Sequence, residues 1–165
     1  MRVILIAAVA ENDVIGVDGE MPWQYPTDLQ HFKERTLGSP VIVGRVTYEA
    51  IERRLGGPLP ERTTVVLTHS PDRIETSVSG VRVAMSVDEA LDLVRQEGES
   101  EVFVAGGESV YEQFLPLADR LLLTEIPGSY DGDAVFPSWD RNKWRELERD
   151  DRDAISFVTY SRDTD

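Results

Sequence analysis

The chain contains no cysteine, which excludes disulfides, thiolate metal sites and a thiol nucleophile together and fits a reducing cytoplasm. Histidine is almost as scarce. His31 and His69 stand too far apart to read as a ligand pair, so no metal site is expected. Of 17 basic residues only Lys33 and Lys143 are lysine, and 31 acids bring the formal net charge to −14. That charge repels a phosphate backbone or an anionic bilayer, so neither nucleic acid nor membrane is an expected partner. The acidic excess resembles that of proteins kept soluble in high salt, where self-repulsion is screened. Long apolar runs are also missing. Val3 to Ala10 falls far short of the roughly 20 residues that span a bilayer, and its β-branched content reads as a first buried strand rather than a leader.

What is present is globular. A length of 165 residues with 41% hydrophobic and 29% charged content suits one domain over 1–165, with no linker and no repeat. Short apolar runs at Val3–Val9, Val41–Val43, Val65–Leu67, Val102–Ala105 and Leu121–Ile126 predict buried strands. Helices are expected between them. One opens at Pro26 with Leu29, Phe32 and Thr36 on one face. Others span Thr47–Arg54, Ser86–Gln96 with Ser86 and Glu89 forming a capping box, and about Glu108–Leu115. Strands alternating with helices give an α/β fold whose mainly parallel sheet is covered on both faces. Trp144–Arg149 and Ile155–Ser161 alternate apolar with polar residues and predict a terminal antiparallel hairpin, with Asp150-Asp151-Arg152-Asp153 as its solvated turn.

Sheets of this kind bind ligands beyond the carboxyl ends of their strands, so the residues just after each strand come first. Ala105-Gly106-Gly107-Glu108-Ser109-Val110-Tyr111 joins a strand to a helix start through a glycine pair, which lets backbone amides approach a pyrophosphate. A lone glycine pair is more often just a tight turn. Gly44-Arg45-Val46-Thr47 repeats the arrangement, with an arginine whose planar fork suits a phosphate. Two such openings at one sheet edge make a two-part nucleotide site. Met21-Pro22-Trp23-Gln24-Tyr25-Pro26 is a loop stiffened by prolines, able to cover a ligand, although Met21 and Trp23 singly are commoner in cores. Asp28 follows it in the first turn of a helix, where an acid usually serves the dipole. It also lies one turn from Phe32, and a carboxylate in a partly apolar pocket can pair with an amidine-like ligand edge.

Taken in order, Ala7-Ala8 with Ile15-Gly16, Met21-Pro22-Trp23, Asp28 to Phe32, Gly44-Arg45-Val46-Thr47-Tyr48-Glu49, Gly106-Gly107 with Tyr111-Glu112-Gln113-Phe114, and Gly132-Asp133 with Phe136-Pro137 resemble bacterial-type dihydrofolate reductase. The resemblance covers nearly the whole chain. It implies an eight-stranded, mainly parallel sheet with a C-terminal antiparallel edge, and reduction of 7,8-dihydrofolate by NADPH in a cytoplasmic monomer. It implies that Asp28, linked to Thr124, binds the pterin and favours protonation at N5. Ile6, Ala8, Phe32, Ile51 and Leu59 line the pterin and benzoyl pocket, and Arg62 holds the glutamate tail. Met21 and Trp23 belong to the lid, and Ala8, Ile15 and Gly16 meet the nicotinamide. Gly44, Arg45, Val46 and Thr47, Leu67, Thr68 and His69, and Ala105, Gly106, Gly107, Glu108, Ser109, Val110 and Tyr111 hold the rest of NADPH. A cis bond between Gly106 and Gly107 is implied as well.

The chain also departs from that pattern. Ser109 stands where some relatives carry an arginine for the 2′-phosphate, and Glu108 adds a negative charge beside it, so NADPH preference rests on Arg45 with Thr68 or His69. Extra residues around Arg53–Gly57 shift the loop before Leu59 and Arg62, and His31 reads as a surface or site-rim group. The rival readings are a riboflavin-pathway pyrimidine reductase of the same fold and a nucleotide-binding module without turnover.

Overall fold

The computed structural model describes residues 1–76 and 79–162. In chain order the elements are β1 (Arg2–Ala10), β2 (Val14–Gly16), α1 (Pro26–Thr36), β3 (Val41–Gly44), α2 (Arg45–Leu55), β4 (Thr64–Leu67), β5 (Val81–Ala84), α3 (Val87–Gln96), β6 (Glu101–Val104), α4 (Glu108–Phe114), β7 (Arg120–Ile126), β8 (Ala134–Val135), β9 (Trp144–Arg152) and β10 (Ile155–Arg162). All five expected strands and all four expected helices are among them.

Eight strands form one sheet in the order β5-β4-β3-β6-β1-β7-β10-β9. From β5 to β7 every neighbouring pair is parallel, and β10 runs antiparallel to both β7 and β9. Alternation along β1 explains the layering. Val3, Leu5 and Ala7 point to the face covered by α3 and α4, where they meet Leu91, Val94, Tyr111 and Phe114. Ile4 and Ile6 point to the opposite face, toward Tyr48, Ile51 and Leu59. Helices therefore lie on both faces, which is why the parallel strands read as continuous apolar runs. None of the described helices is long and apolar enough to cross a membrane.

Several details differ from the sequence expectations. Beyond the expected strands the sheet includes β5, where Arg82 interrupts the apolar pattern at the sheet edge. A separate two-stranded ribbon, β2 with β8, lies outside the main sheet. On α1 Asp28, Phe32 and Thr36, spaced by four, face inward, and Leu29, 46% exposed, borders the same cavity as Asp28 and Phe32. The acidic tetrad is not the hairpin turn. β9 continues through Arg152, which pairs with Ile155, leaving Asp153 and Ala154 as a two-residue turn with Asp153 at φ 49°. Cross-strand polar pairing keeps those charged residues in the strand, since Ser156 donates to Asp151 at 2.6 Å. Ser86 caps α3 by accepting from the Glu89 amide, but the Glu89 carboxylate returns to the Met85 amide rather than to Ser86.

Candidate active site

β1, β3, β4 and β6 run parallel and so end at one edge of the sheet, where α1, α2, α4 and the β2–β8 ribbon enclose a cavity of about 850 Å³. This is the upper part of the roughly 300–1,000 Å³ range of small-molecule sites. The walls are mostly apolar.

At the α1 side stands Asp28, 9% exposed. Pro26 fixes the first turn of α1, so the carboxylate is aimed across the cavity floor at β7. There the Thr124 hydroxyl donates to Asp28 Oδ1 at 2.6 Å. Thr124 is held in place because β7 pairs with β1 on one side, Ala8 beside Thr124, and with β10 on the other, Phe157 beside Thr124. Burial raises the Asp28 carboxyl above the ordinary carboxylate value, and the Thr124 hydrogen bond works in the opposite direction. Tyr111 lies close by, and its phenol donates to the Ile6 carbonyl at 2.6 Å. Burial, with the Asp28 charge behind it, pushes that phenol far above its usual range, so it stays a neutral donor. Ile6, Ala8, Phe32, Ile51 and Leu59 complete this end of the lining. His31 is at the rim, its ring stacked on Phe157 with centroids 3.9 Å apart.

Arg62 also reaches this end and is 8% exposed. Its Nε donates to the Pro60 carbonyl and one terminal nitrogen to Thr36 Oγ1, both at 2.9 Å. The guanidinium is thus fixed before any ligand arrives. α2 continues to Leu55 and ends on Gly56 at φ 79°, so the extra residues before Leu59 are absorbed in a helix end and a turn.

The other end of the cavity is a backbone cradle. The Gly106–Gly107 peptide bond is cis, and the Gly106 carbonyl accepts from the Gly44 amide at 2.8 Å, drawing the starts of α2 and α4 together. Gly106 sits at φ 111° against Tyr111, a conformation that favours glycine, and a Cβ on Gly44 would come within 3.1 Å of Val110 Cγ2, a tight fit. Neither α2 nor α4 has a side-chain cap. Arg45, Val46, Thr47, Leu67, Thr68, His69, Ala105, Glu108, Ser109 and Val110 surround the cradle. Arg45 pairs with Glu49 at 2.7 Å. Partly exposed i,i+4 pairs are worth only about 0.3–0.5 kcal/mol, which leaves the guanidinium available to a stronger anion. This set of donors, with uncapped amides beside an arginine, fits the phosphates of a dinucleotide.

The structure therefore brings together every residue singled out from the sequence except Trp23. That ring is 6% exposed and faces Tyr130, edge-on at 5.2 Å, within a cluster containing Val14, Ile126 and Phe157. Met21 does border the cavity, as do Ile15 and Gly16. Asp133 also borders the cavity. Its amide donates to the Gly16 carbonyl at 3.1 Å, and its carboxylate accepts from the Asp18 amide at 3.0 Å, tying β8 to the segment leading into Met21. The signal was Gly132 beside it, where a Cβ would collide with Val14 and Gly16.

Comparison with known proteins agrees with this geometry. The family model for dihydrofolate reductase matches residues 2–162. The chain is 52% identical over 163 residues to the dihydrofolate reductase HdrB of Haloferax volcanii, covering 98% of this chain and 84% of the relative. It is 44% identical over 169 residues to the type 3 dihydrofolate reductase of Salmonella typhimurium, covering 98% and 99%. Among solved structures, dihydrofolate reductase from Enterococcus faecalis complexed with NADP(H) superposes with a TM-score of 0.85 at 35% identity, covering 99% of this chain and 97% of that one. The chain belongs to the dihydrofolate reductase family.

Proposed function

We propose that the chain, acting as a single 1–165 domain, reduces 7,8-dihydrofolate to 5,6,7,8-tetrahydrofolate with NADPH. The observation that carries this is the pairing of one buried carboxylate, Asp28 on Thr124, with a glycine cradle at the far end of the same cavity. NADPH, when bound, supplies the hydride that reduces pterin C6. The chain's own residues do the rest. Gly44, Arg45, Thr47, Gly106, Gly107 and Ser109 hold the dinucleotide phosphates, and Ala8, Ile15 and Gly16 border the nicotinamide end. Leu67, Thr68 and His69 border the adenosine end.

Asp28 receives the 2-amino and N3 edge of the pterin through two parallel hydrogen bonds and favours a proton at N5, which arrives from water. Thr124 orients it. Ile6, Phe32, Ile51 and Leu59 exclude other water from the ring, and Arg62 grips the tail carboxylate. Met21 closes the cavity edge, with Trp23 supporting the same segment from the core. The side-chain hydrogen bond to Asp28 comes from the neutral hydroxyl of Thr124, and alignment and electrostatics supply the acceleration. Neither the pyrimidine reductase nor the inert module gains support from the family match.

We also read the chain as a cytoplasmic monomer. Supporting this, the exposed edge strand β9 is studded with charge from Arg145 to Arg152, which discourages strand pairing between copies. The deciding assay is NADPH absorbance. It falls with dihydrofolate and stays constant without it or with a ribosylamino-pyrimidine. Constant absorbance in all three mixtures contradicts the proposal.

A further inference from the structure

Glu108 opens α4 directly after the glycine pair, beside a cradle that suits phosphates. An acid in the first turn ordinarily serves its own helix amides. Here it does not. The α4 terminus has no side-chain cap, and the Glu108 carboxylate turns away to accept the Val135 amide of β8 at 2.9 Å. Those helix amides have no side-chain cap, while the carboxylate reaches the neighbouring ribbon, which borders the same cavity.

The ribbon needs such ties. A two-stranded sheet is marginal by itself in water, and β2 with β8 is two to three residues long on each strand. Asp133 joins β8 to Gly16 and Asp18. The Phe136 amide donates to the Asp13 carbonyl at 2.8 Å, and its ring lies 5.0 Å from that of Tyr111. Glu108 adds the hydrogen bond that runs from the ribbon to the first residue of the cradle helix. It is a charge-assisted bond, roughly twice as strong as a neutral one.

We infer that Glu108 is a positioning residue that couples the dinucleotide cradle to the β2–β8 ribbon, so that cofactor binding and closure of the nicotinamide end reinforce one another. This rests on the reductase reading for the identity of the cofactor, but the tie itself belongs to the chain alone. A simpler role predicts the opposite sign. If Glu108 acted only as a negative charge near the phosphates, removing it would tighten NADPH.

The test compares Glu108→Ala with Glu108→Gln in the full chain, reading amide exchange at Val135 and Gly16 without cofactor, then NADPH release by rapid mixing. Coupling predicts faster exchange and about tenfold faster release in Glu108→Ala, the scale of one lost hydrogen bond to a charged acceptor. Glu108→Gln, which keeps an acceptor without the charge, restores most of both. Unchanged exchange in both variants overturns the inference, and so does equal tightening of NADPH in both. Wild-type turnover of dihydrofolate is measured alongside. Its absence removes the reductase reading, whereas the exchange result bears on Glu108 alone.

Discussion

The hydroxyl of Thr124 donates to the carboxylate of Asp28 at 2.6 Å, joining the middle of a β-strand to the first turn of a helix 96 positions earlier. One partner is buried by the sheet and the other by the cavity wall; burial raises the pKa of the acid, and the bond partly offsets that rise. Replacing Thr124 with Val removes the one influence that lowers the Asp28 pKa, so the Asp28 inflection in the pH–rate profile moves to higher pH. Thr124→Ser restores it. Unshifted profiles in both variants contradict this role.

The same burial has a consequence for stability. Because the folded pKa of Asp28 lies above its unfolded value, the group's contribution is fully present below the unfolded pKa of about 4 and is lost as pH rises through the folded value. At neutral pH the buried carboxylate therefore weakens the ligand-free fold. Asp28→Asn melts higher than wild type at neutral pH, and the difference vanishes in acid. Thermal melts of both forms across pH check the sign.

Arg62 is anchored by Pro60 and Thr36, so its remaining donors are held ready for a carboxylate. Arg62→Ala raises KM for dihydrofolate about 10- to 100-fold, the scale of charge-assisted hydrogen bonds, with a smaller change in kcat. A pterin lacking the glutamate tail is reduced equally by both forms. An equal loss on both substrates refutes tail binding.

Arg45 is the guanidinium nearest the cradle now that Ser109 stands beside it, and its partner Glu49 holds it weakly. Arg45→Leu lowers the preference for NADPH over NADH by about tenfold or more, as loss of a phosphate fork should. Competing steady-state assays with the two cofactors measure the ratio. An unchanged ratio moves the 2′-phosphate contact to Thr68 or His69.

With 31 acids against 17 basic residues, self-repulsion outweighs surface pairs such as those of Arg149 with Glu125 and Glu146, each worth at most about 1 kcal/mol. Screening shortens from roughly 10 Å at 0.1 M salt to 3 Å at 1 M, so the melting temperature rises over that span. A flat or falling curve contradicts the reading of the acidic surface.

The parallel core was legible because strands buried on both faces leave unbroken apolar runs, as at Val41–Val43, and because Pro26 and Ser86 mark helix starts chemically. The β2–β8 ribbon was not, since two or three residues are too few to show a period. The hairpin turn was misplaced because charge suggested a loop where solvent-facing strand residues are simply polar. At the site, glycine spacing and the Asp28–Phe32 interval pointed to residues that line one cavity. What depends on contacts across the fold did not show. The inward turn of Trp23, the aim of Glu108 and the ties made by Asp133 are set by residues more than a hundred positions distant or on other elements.

The most direct measurement is single-turnover reduction of dihydrofolate by enzyme already loaded with NADPH at neutral pH, comparing wild type with Asp28→Asn. The variant is expected to bind NADPH normally and to transfer hydride on the order of 10²-fold more slowly or worse, the scale of a positioned proton-handling group. Near wild-type transfer in a folded, NADPH-bound Asp28→Asn enzyme would contradict the account.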